Sequence, residues 1–492
     1  MNVINTNIGA INAQANMTKV NEAMNQAMER LSSGLRINAA KDDAAGMAIA
    51  EKMTSQINGL NQAVRNATDG KNLIDTTEGA HQEISNMLQR LRELAVQSAN
   101  DTNTSSDRAA LNSETSQLIT EINRIAETTT FNGMNVLDGS FTSKQFQIGA
   151  DEGQTIEINV DSAAASEIGA YTISSAASVA QGAALTDTAI AAGTNIDIQS
   201  AVGTATITST AGQSAEELAA AINGVSATTG VSASAVTKAS LSGLTAADTV
   251  QFELNGTQIG AVGIVDNSDL TALADAINDA SGQTGVTASL GATDAEIILT
   301  DRNGGDILIT GYSAGTATTD LTVTALNADE TAAGATAGVH TALLDDTNVT
   351  AAVSGQVELS ATESFTVSSS VTTAGTVAFE AATSSSSLSS VADIDLSTQE
   401  GASDALGVID VALEKISQSR SELGAVSNRL DSTISNLTNI SVNVEAARSG
   451  VMDADFAKES AELAKANILS QASTSMLAQA NTSNDNLLSL LQ

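Results

Sequence analysis

Cysteine, proline and tryptophan are all absent from this 492-residue sequence, and aromatic residues make up only 2% of it. Without cysteine, neither a disulfide framework nor a thiolate metal site can form. The absence of cysteine does not fix the compartment, because an extracellular protein can also do without disulfides. The compartment therefore has to be inferred from other features of the chain.

Positive charge is also scarce. Lys and Arg number 20 against 57 Asp and Glu, which gives a net charge of -37. Residues 140–400 hold 30 of the acidic side chains and only 3 basic ones. Nothing in such a segment can neutralise phosphates, so nucleic acid is excluded as a partner. The acidic middle is interpreted as a solvated surface whose copies repel one another and stay soluble.

Long apolar runs and basic leader segments are missing as well. No stretch approaches the roughly 18 apolar residues of a membrane-spanning helix, so no span is expected. The start, Met1 to Asn7, has neither a positive n-region nor an apolar h-region, and no cleaved secretory signal is expected. If the protein acts outside the cell, it leaves by another route.

Groups that could perform chemistry are few. Histidine occurs twice, as His81 on a helical stripe and as His340 in an expected polar loop, and neither has the His-Glu-x-x-His spacing of a metal site. The paired Asp residues at 42–43 and at 453 and 455 fall at expected helix starts, where carboxylates cap a helix or oppose its dipole. The sequence therefore predicts no enzyme, no cofactor and no metal site.

Apolar side chains recur in steps of three, four or seven in three segments. This spacing places one apolar stripe on an α-helix. None of the three helices can bury its stripe alone, so a bundle is expected. Thr104 and Asp107 have the spacing of a capping box at the start of the second helix. The stripes consist of Ile57, Leu60, Val64, Ala67, Ile74, His81, Ile84, Leu88, Leu91 and Ala95, then Leu111, Leu118, Ile122 and Ile125, and finally Ile409, Leu413, Ile416, Leu423, Val426, Leu430, Ile434, Leu437 and Val444.

The two ends of the chain carry weaker, alanine-rich stripes. One runs from Ile4 to Leu31 and the other from Ala457 to Met476. Such a helix pair has little large apolar surface to hold it, so it is expected to order fully only against neighbouring subunits. The tail adds a terminal assembly segment with four leucines: Leu487, Leu488, Leu490 and Leu491.

The middle of the chain has a different pattern. Alternating apolar residues on both sides of a glycine turn predict a β-hairpin over 146–160. From about residue 170 to 400, short Val, Ile and Thr runs broken by Gly and Asn predict mostly β modules. Nine residues within 218–234 recur 55 positions later, within 273–289. Each copy predicts a short helix, a glycine turn and a strand, so the middle is expected to hold two related modules.

Several strings in the helical ends carry a resemblance to a known family. They are Leu31-Ser32-Ser33-Gly34-Leu35-Arg36-Ile37-Asn38, Lys41-Asp42-Asp43-Ala44-Ala45-Gly46, Gln89-Arg90-Leu91-Arg92-Glu93-Leu94-Ala95-Val96-Gln97-Ser98-Ala99-Asn100, Phe131-Asn132-Gly133, Ala447-Arg448 and Asp453-Ala454-Asp455-Phe456-Ala457. Together they resemble bacterial flagellin, the subunit of the flagellar filament, over nearly all of 1–140 and 405–492. The 55-residue repeat resembles a small module found in flagellin middles and hook-associated proteins.

The resemblance implies a fold. In that family the extreme termini form a coiled coil lining the filament channel, the heptad helices form the outer core tube, and the middle projects into solvent. The expected fold is a mainly α terminal helical bundle and coiled coil, with paired N- and C-terminal segments and an inserted, mostly β variable region. The expected domains are an N-terminal coiled-coil helix (1–42), the N-terminal part of the core with a β-hairpin (43–170), a surface-exposed variable region (171–400), the C-terminal part of the core (401–453) and a C-terminal coiled-coil helix (454–492).

The resemblance also implies a function. The chain would be a structural subunit that polymerises into the extracellular flagellar filament for swimming motility. Export would proceed in unfolded form through the flagellar type III apparatus, with a secretion chaperone at the C-terminus, which accounts for the missing signal peptide. Hook-associated and cap proteins are the other implied partners. A head-to-tail contact that does not close gives an open helical fibre.

Four residues imply one further partner. In flagellins that the vertebrate Toll-like flagellin receptor detects, a helical patch corresponding to Gln89, Arg90 and Leu94 inserts into the receptor, together with a carboxylate corresponding to Glu114. All four residues are present in this sequence. The resemblance implies that this patch packs between subunits in the filament and is free to meet a receptor on the monomer.

Three other functions remain open from the sequence. Another axial flagellar protein, such as the hook–filament junction protein, shares the terminal helices, although the complete set of strings favours the filament subunit. An adhesive surface protein would bind its ligand through the Thr-rich acidic middle, but such proteins usually carry a signal peptide or an anchor. An enzyme would need a catalytic insert, and the absence of clustered His, Cys or a nucleophile motif argues against it.

Overall fold

The structure is a computed structural model that describes residues 6–175, 177–182, 195–210, 212–316, 319–330, 341–345, 347–369 and 383–489. Its helices are α1 (Ile8–Ser33), α2 (Ala44–Ser98), α3 (Ser105–Thr128), α4 (Ala215–Asn223), α5 (Ser226–Thr229), α6 (Thr271–Asp279), α7 (Ser281–Thr284), α8 (Gln399–Met452) and α9 (Phe456–Ser489), with a 3-10 turn over Val391–Asp393. The long helices contain the predicted heptad stripes, which confirms the helical prediction for both ends of the chain.

The strands lie almost entirely in the middle of the chain. They are β1 (Thr130–Phe131), β2 (Met134–Asn135), β3 (Lys144–Gln147), β4 (Thr155–Ile158), β5 (Gly169–Ser174), β6 (Ser178–Gly182), β7 (Asn195–Ser200), β8 (Thr204–Thr208), β9 (Val231–Ser242), β10 (Thr249–Leu254), β11 (Thr257–Gly263), β12 (Thr287–Leu290), β13 (Ile297–Asp301), β14 (Ile307–Ala314), β15 (Leu321–Leu326), β16 (Thr341–Leu344), β17 (Thr350–Ser354), β18 (Gln356–Ala361), β19 (Phe365–Ser369), β20 (Ser384–Ser385) and β21 (Ser387–Ser390). The mostly β character predicted for this region is confirmed.

Side-chain caps fix where several helices begin. The Thr104 hydroxyl accepts a hydrogen bond from the N–H of Asp107, and the Asp107 carboxylate accepts one from the N–H of Thr104 at 3.0 Å, which confirms the predicted capping box. The Thr104 hydroxyl and N–H both lower the pKa of Asp107. Asp43 and Asp455 cap α2 and α9 as predicted. For Asp453 the prediction was wrong, because its carboxylate accepts a hydrogen bond from Ser449 at the end of α8.

The chain divides into two compact units, and α2 and α8 contribute to both. The first unit comprises Met1–Thr76, Thr142–Asn159 and Leu423–Gln492. In it, α1 packs along α9, and the first part of α2 meets the last part of α8 around Leu60, Ala63 and Leu437. Lys71 on α2 forms an ion pair with Asp431 on α8 at 2.8 Å.

The predicted hairpin belongs to the first unit and is confirmed. Its strands β3 and β4 are antiparallel. Gly70 lies where this hairpin and α8 both approach α2, since a Cβ at that position would meet Phe146 at 3.4 Å and Leu430 at 3.5 Å. A Cβ at position 70 would thus be in ordinary van der Waals contact with both, and only a side chain larger than alanine would push the hairpin away from the helix.

The second unit comprises Thr77–Phe141 and Val160–Glu422. Its helical part consists of the end of α2, α3 and the start of α8, and ion pairs join α2 to α8, with Arg92 to Asp410 at 2.6 Å and Arg420 to Glu78 at 2.7 Å. The predicted stripes are buried here, and their fully enclosed members include Ile84, Leu88, Leu91, Ala95, Ile122, Ile409 and Ile416.

The β part of the second unit contains three larger sheets, and every strand pair among the described residues is antiparallel. An eight-stranded sheet has the order β12-β13-β9-β18-β5-β21, with β15 and β16 off this path. The others have the orders β11-β10-β14-β17-β6 and β20-β19-β7-β8. The long strand β9 pairs with β13, β15 and β18, and it links two apolar cores.

The two copies of the sequence repeat fold alike. In the first copy the amide of Asn223, at the end of α4, donates to the carbonyl of Ala233 at 2.8 Å and accepts from its N–H at 2.8 Å. Asn278 makes the same pair of bonds with Ala288 at the end of α6. Each copy thus clamps its helix to its strand with one asparagine, as expected for related modules.

Candidate assembly surface

The helix pair α1 and α9 leaves most of its large apolar side chains exposed. Ile8 and Ile11 on α1 are 56% and 55% exposed, and Ile468 and Met476 on α9 are 66% and 65% exposed. Met28, Leu469 and Phe456 are exposed as well. Exposed apolar side chains along one helix pair make this pair the candidate surface for association. The prediction that the two terminal helices order fully only against neighbouring subunits stays a prediction.

Polar contacts add to the apolar contact between α1 and α9. Arg30 forms an ion pair with the largely buried Glu459 at 3.3 Å. The Asn7 side chain caps α1 through the N–H of Ala10 and donates to the carbonyl of Ala480 at 3.1 Å. The sequence analysis missed these contacts. Charges of both signs on the two terminal helices were the available signal, and they do not specify which residues pair.

Two of the strings that carry the family resemblance meet in space. The backbone N–H of Arg36 donates to the carbonyl of Met452 at 2.6 Å, and the N–H of Ala454 donates to the carbonyl of Gly34 at 2.9 Å. The loop after α1 is thus joined by backbone hydrogen bonds to the turn between α8 and α9. These hydrogen bonds hold the end of α1 beside the start of α9, although the two helices are far apart in sequence.

The predicted patch on α2 is only partly at the surface. Arg90 and Glu114 are about half exposed, and the Arg90 guanidinium donates to the Glu114 carboxylate at 2.9 and 3.0 Å and to Glu93 at 2.8 Å. Hydrogen bonds to Glu93 and Glu114 raise the pKa of Arg90. Gln89 is exposed beside them. Leu94 has no exposed surface, so the exposed patch consists of Gln89, Arg90 and Glu114, with Leu94 in the core.

The predicted terminal leucines are only partly within the structure. Leu487 and Leu488 belong to α9, but their side chains lie outside the described residues, as do Leu490 and Leu491 altogether.

One titratable group is buried in the helical part of the second unit. His81 is 1% exposed, as predicted for a core position, and burial lowers its pKa to about 4. Its Nδ1 makes no hydrogen bond within the described part of the chain. No group of three metal-ligating side chains occurs among the described residues, and none of their helices is long and apolar enough to cross a bilayer.

Comparison with known proteins gives consistent matches along the chain. Residues 4–142 match the bacterial flagellin N-terminal helical region, residues 406–491 the bacterial flagellin C-terminal helical region, and residues 186–248 and 251–303 the flagellin hook IN motif. B-type flagellin of Pseudomonas aeruginosa is 40% identical, over 99% of both chains. Flagellin B of Vibrio cholerae is 33% identical over 99% of both chains. Flagellin of Salmonella rubislaw is 36% identical over 100% of this chain and 99% of its own.

Paired helical ends with exposed apolar side chains, joined to an inserted β region, define the class of a structural subunit with helical termini. The full-length matches agree with this class. The chain belongs to the bacterial flagellin family. It is a structural subunit of the extracellular flagellar filament, a homopolymer that associates with other flagellar proteins, and the family is a structural family rather than one of enzymes.

Proposed function

We propose that this protein assembles itself into the filament that drives swimming, after export in unfolded form through the flagellar type III apparatus with a secretion chaperone at its C-terminus. Family membership supports the export and motility parts of the proposal. Self-assembly is supported by one observation on the molecule, the exposed apolar side chains of α1 and α9. Burying the remaining exposed part of one such side chain in a neighbour contributes about 1–2 kcal/mol.

The contact that buries these faces must repeat without closing. A surface on one subunit that binds a different surface on the next generates an open helical fibre. The exposed faces of α1 and α9 are apolar and belong to two paired helices. We propose that the faces of one subunit pack against those of the next subunit in the filament. The terminal leucines Leu487, Leu488, Leu490 and Leu491 are proposed to extend the same contact.

Ile468→Ser is expected to raise the critical concentration for polymerisation at least about tenfold, because it removes apolar surface that only the assembly buries. Gln471→Ser is the matched control, since it changes an exposed residue on the same helix without removing apolar surface. Sedimentation and negative-stain images of salted-out monomer measure the effect. Removing Leu487 to Gln492 is expected to act in the same direction.

Circular dichroism of the monomers shows whether the substitutions leave the fold intact, as expected for exposed positions. Met476→Ser provides a second test at another exposed apolar residue of α9. If both serine variants polymerise at the parent's critical concentration, α9 does not supply the assembly surface.

We also propose that the free monomer is recognised by the vertebrate Toll-like flagellin receptor through Gln89, Arg90 and Glu114. The hydrogen bonds between Arg90 and Glu114 hold side chains of α2 and α3 in one exposed group. An exposed arginine fixed in this way is a typical centre of a binding interface. The same face packs between subunits in the proposed filament, so monomer and not filament should activate the receptor.

Arg90→Ala is expected to require about tenfold more monomer for half-maximal signalling in a receptor-reporter assay, since it removes the central side chain of the group. Arg124→Ala is the matched control, because Arg124 forms an equally exposed ion pair with Glu121 on α3. Monomer that is inert where a known agonist flagellin saturates would contradict the proposal, as would equal activity of the two variants.

Leu94 cannot test this surface. Because Leu94 is fully buried, Leu94→Ala would leave a core cavity and cost roughly 2–5 kcal/mol of stability. A loss of signalling in that variant would report on folding rather than on receptor contact.

A further inference from the structure

Asparagine is followed by glycine at five places in this chain, and this dipeptide is chemically labile. The backbone nitrogen of a glycine is unhindered, so it can attack the preceding side-chain amide once the local backbone permits. The five pairs are Asn58-Gly59, Asn132-Gly133, Asn223-Gly224, Asn255-Gly256 and Asn303-Gly304. All five lie within the described residues, so the structure shows which of them are protected.

Three of the pairs are restrained by their surroundings. Asn58 lies inside α2, several turns from its start, where the N–H of Gly59 takes part in the backbone hydrogen bonds of the helix. The amide of Asn223 is clamped to both backbone groups of Ala233. The N–H of Gly304 donates to the carbonyl of Asp301 at 3.4 Å, and the N–H of Asn303 donates to the carboxylate of Asp301 at 2.9 Å.

The other two pairs form hairpin turns with the same backbone. Asn132 and Gly133 have φ of 50° and 77°, and Asn255 and Gly256 have φ of 48° and 75°. In both turns a Cβ on the glycine would meet nothing within 4 Å. Any difference in their chemistry must therefore come from the side-chain contacts and from the sheet that each turn closes.

Those contacts differ sharply. The amide of Asn255 donates to the carbonyl of Thr284 at 3.0 Å and accepts from the N–H of Leu308 at 2.8 Å, and its turn closes one edge of a five-stranded sheet. The exposed side chain of Asn132 makes no hydrogen bond within the described residues, and neither does the N–H of Gly133. Its turn joins two strands of two residues each, β1 and β2. One further backbone hydrogen bond, from the N–H of Val136 to the carbonyl of Thr129 at 3.2 Å, closes this ribbon. A ribbon of two short strands opens more readily than a turn within a five-stranded sheet.

We propose that Asn132 is a site of spontaneous deamidation, whose co-reactant is water. The backbone nitrogen of Gly133 loses its proton to hydroxide and bonds to Cγ of Asn132. The Cγ–Nδ2 bond then breaks, and the departing nitrogen takes a proton from water and leaves as ammonia, which regenerates hydroxide. The resulting succinimide ring is opened by one water molecule at either carbonyl, which gives aspartate or isoaspartate. The product adds a negative charge at this turn and, as isoaspartate, an extra backbone methylene.

The test follows deamidation of the purified monomer at mildly alkaline pH by peptide mass spectrometry, with isoaspartyl methyltransferase labelling of the product. In the folded protein Asn132 is expected to convert at least about tenfold faster than Asn255, because the Asn255 turn opens less often. In urea the two rates are expected to converge. Asn132→Gln should remove the fast product and leave the slow conversion at Asn255 unchanged.

Three results would overturn the proposal. Equal rates in the folded protein, or no conversion at Asn132, would show that the two-residue ribbon protects the turn as well as the anchored amide does. A difference that persists in urea would assign it to neighbouring residues in the sequence and not to the fold.

Discussion

Lowering the pH from 7 to 4 is expected to destabilise the wild-type protein by about 3 kcal/mol more than a His81→Leu variant. His81 is buried, and burial lowers its pKa from 6.5 to about 4. The unfolded chain binds a proton near the ordinary pKa of histidine, whereas the folded chain does not bind it until the pH approaches 4. The stabilising contribution of the neutral histidine is therefore complete above pH 6.5 and is lost as the pH falls towards 4.

The charged groups around His81 explain why burial dominates. Glu78 on α2 and Asp161 raise its pKa and Arg420 on α8 lowers it, but desolvation is the largest effect. Because Glu78 is already paired with Arg420 at 2.7 Å, it is not free to hold a histidine cation. Protonation would place an uncompensated charge between α2 and α8.

Urea unfolding followed by circular dichroism at several pH values measures this effect. His81→Gln removes the titration and keeps a polar side chain, so it should show the same reduced pH dependence as His81→Leu. His340→Gln replaces the other histidine of the chain, which lies outside the described residues, and should retain the wild-type pH dependence. Parallel pH profiles for wild type and both His81 variants would exclude His81 as the acid-sensitive group.

Replacing residues 169–390 by a short Gly/Ser linker is expected to leave a helical protein that still polymerises, into thinner filaments. The two ends of that segment already meet, since the N–H of Val391 donates to the carbonyl of Ile168 at 2.9 Å and the N–H of Ala392 to that of Ala165 at 3.0 Å. A short linker closes such a gap at small entropic cost. The excised segment is close to the variable domain that we propose over 171–400.

The excision also removes contacts to α8, but losing them should cost little free energy of folding. Lys238, one of the 3 basic residues within 140–400, bonds to Glu400 at 2.8 Å and to Glu330 at 3.2 Å. Without Lys238, Glu400 is left near the surface, where an ion pair contributes at most about 1 kcal/mol. Lys415 loses its contacts with Glu363 and the ring of Tyr171 in the same way.

Helix content and electron microscopy check the outcome. A control chain with the same linker inserted between Ile168 and Gly169, and nothing removed, separates the effect of the linker from that of the deletion. A soluble, helical deletion protein that never forms filaments, beside a control that does, would show that the β region takes part in assembly.

Local patterns in the sequence predicted the type and the approximate place of the main elements. The stripe from Ile57 to Ala95 corresponds to α2, and the stripe from Ile409 to Val444 corresponds to α8. The capping box, the β3–β4 hairpin and the two repeated modules follow equally from residues close together in the chain. Helical periodicity, caps and turns depend on interactions within a few residues, so one sequence is enough to predict them.

The sequence was a poorer guide to which residues of a helix are buried. Leu94 and Arg90 are four residues apart on one face of α2, yet Leu94 is fully buried and Arg90 is half exposed. Which part of a helix face is covered depends on how closely its neighbours approach. The sequence pattern identifies an apolar face of a helix, but it does not show how far the neighbouring helices cover that face.

By itself the sequence determined that the two ends are helical, that the middle is mostly β with a repeated module, and that the chain resembles flagellin. Only the tertiary structure decided that β9 lies between β13, β15 and β18, that Arg30 pairs with Glu459, and that Ile168 meets Val391. These contacts join residues far apart along the chain. They depend on which surfaces fit together once the helices and strands have formed, and no local pattern encodes that fit.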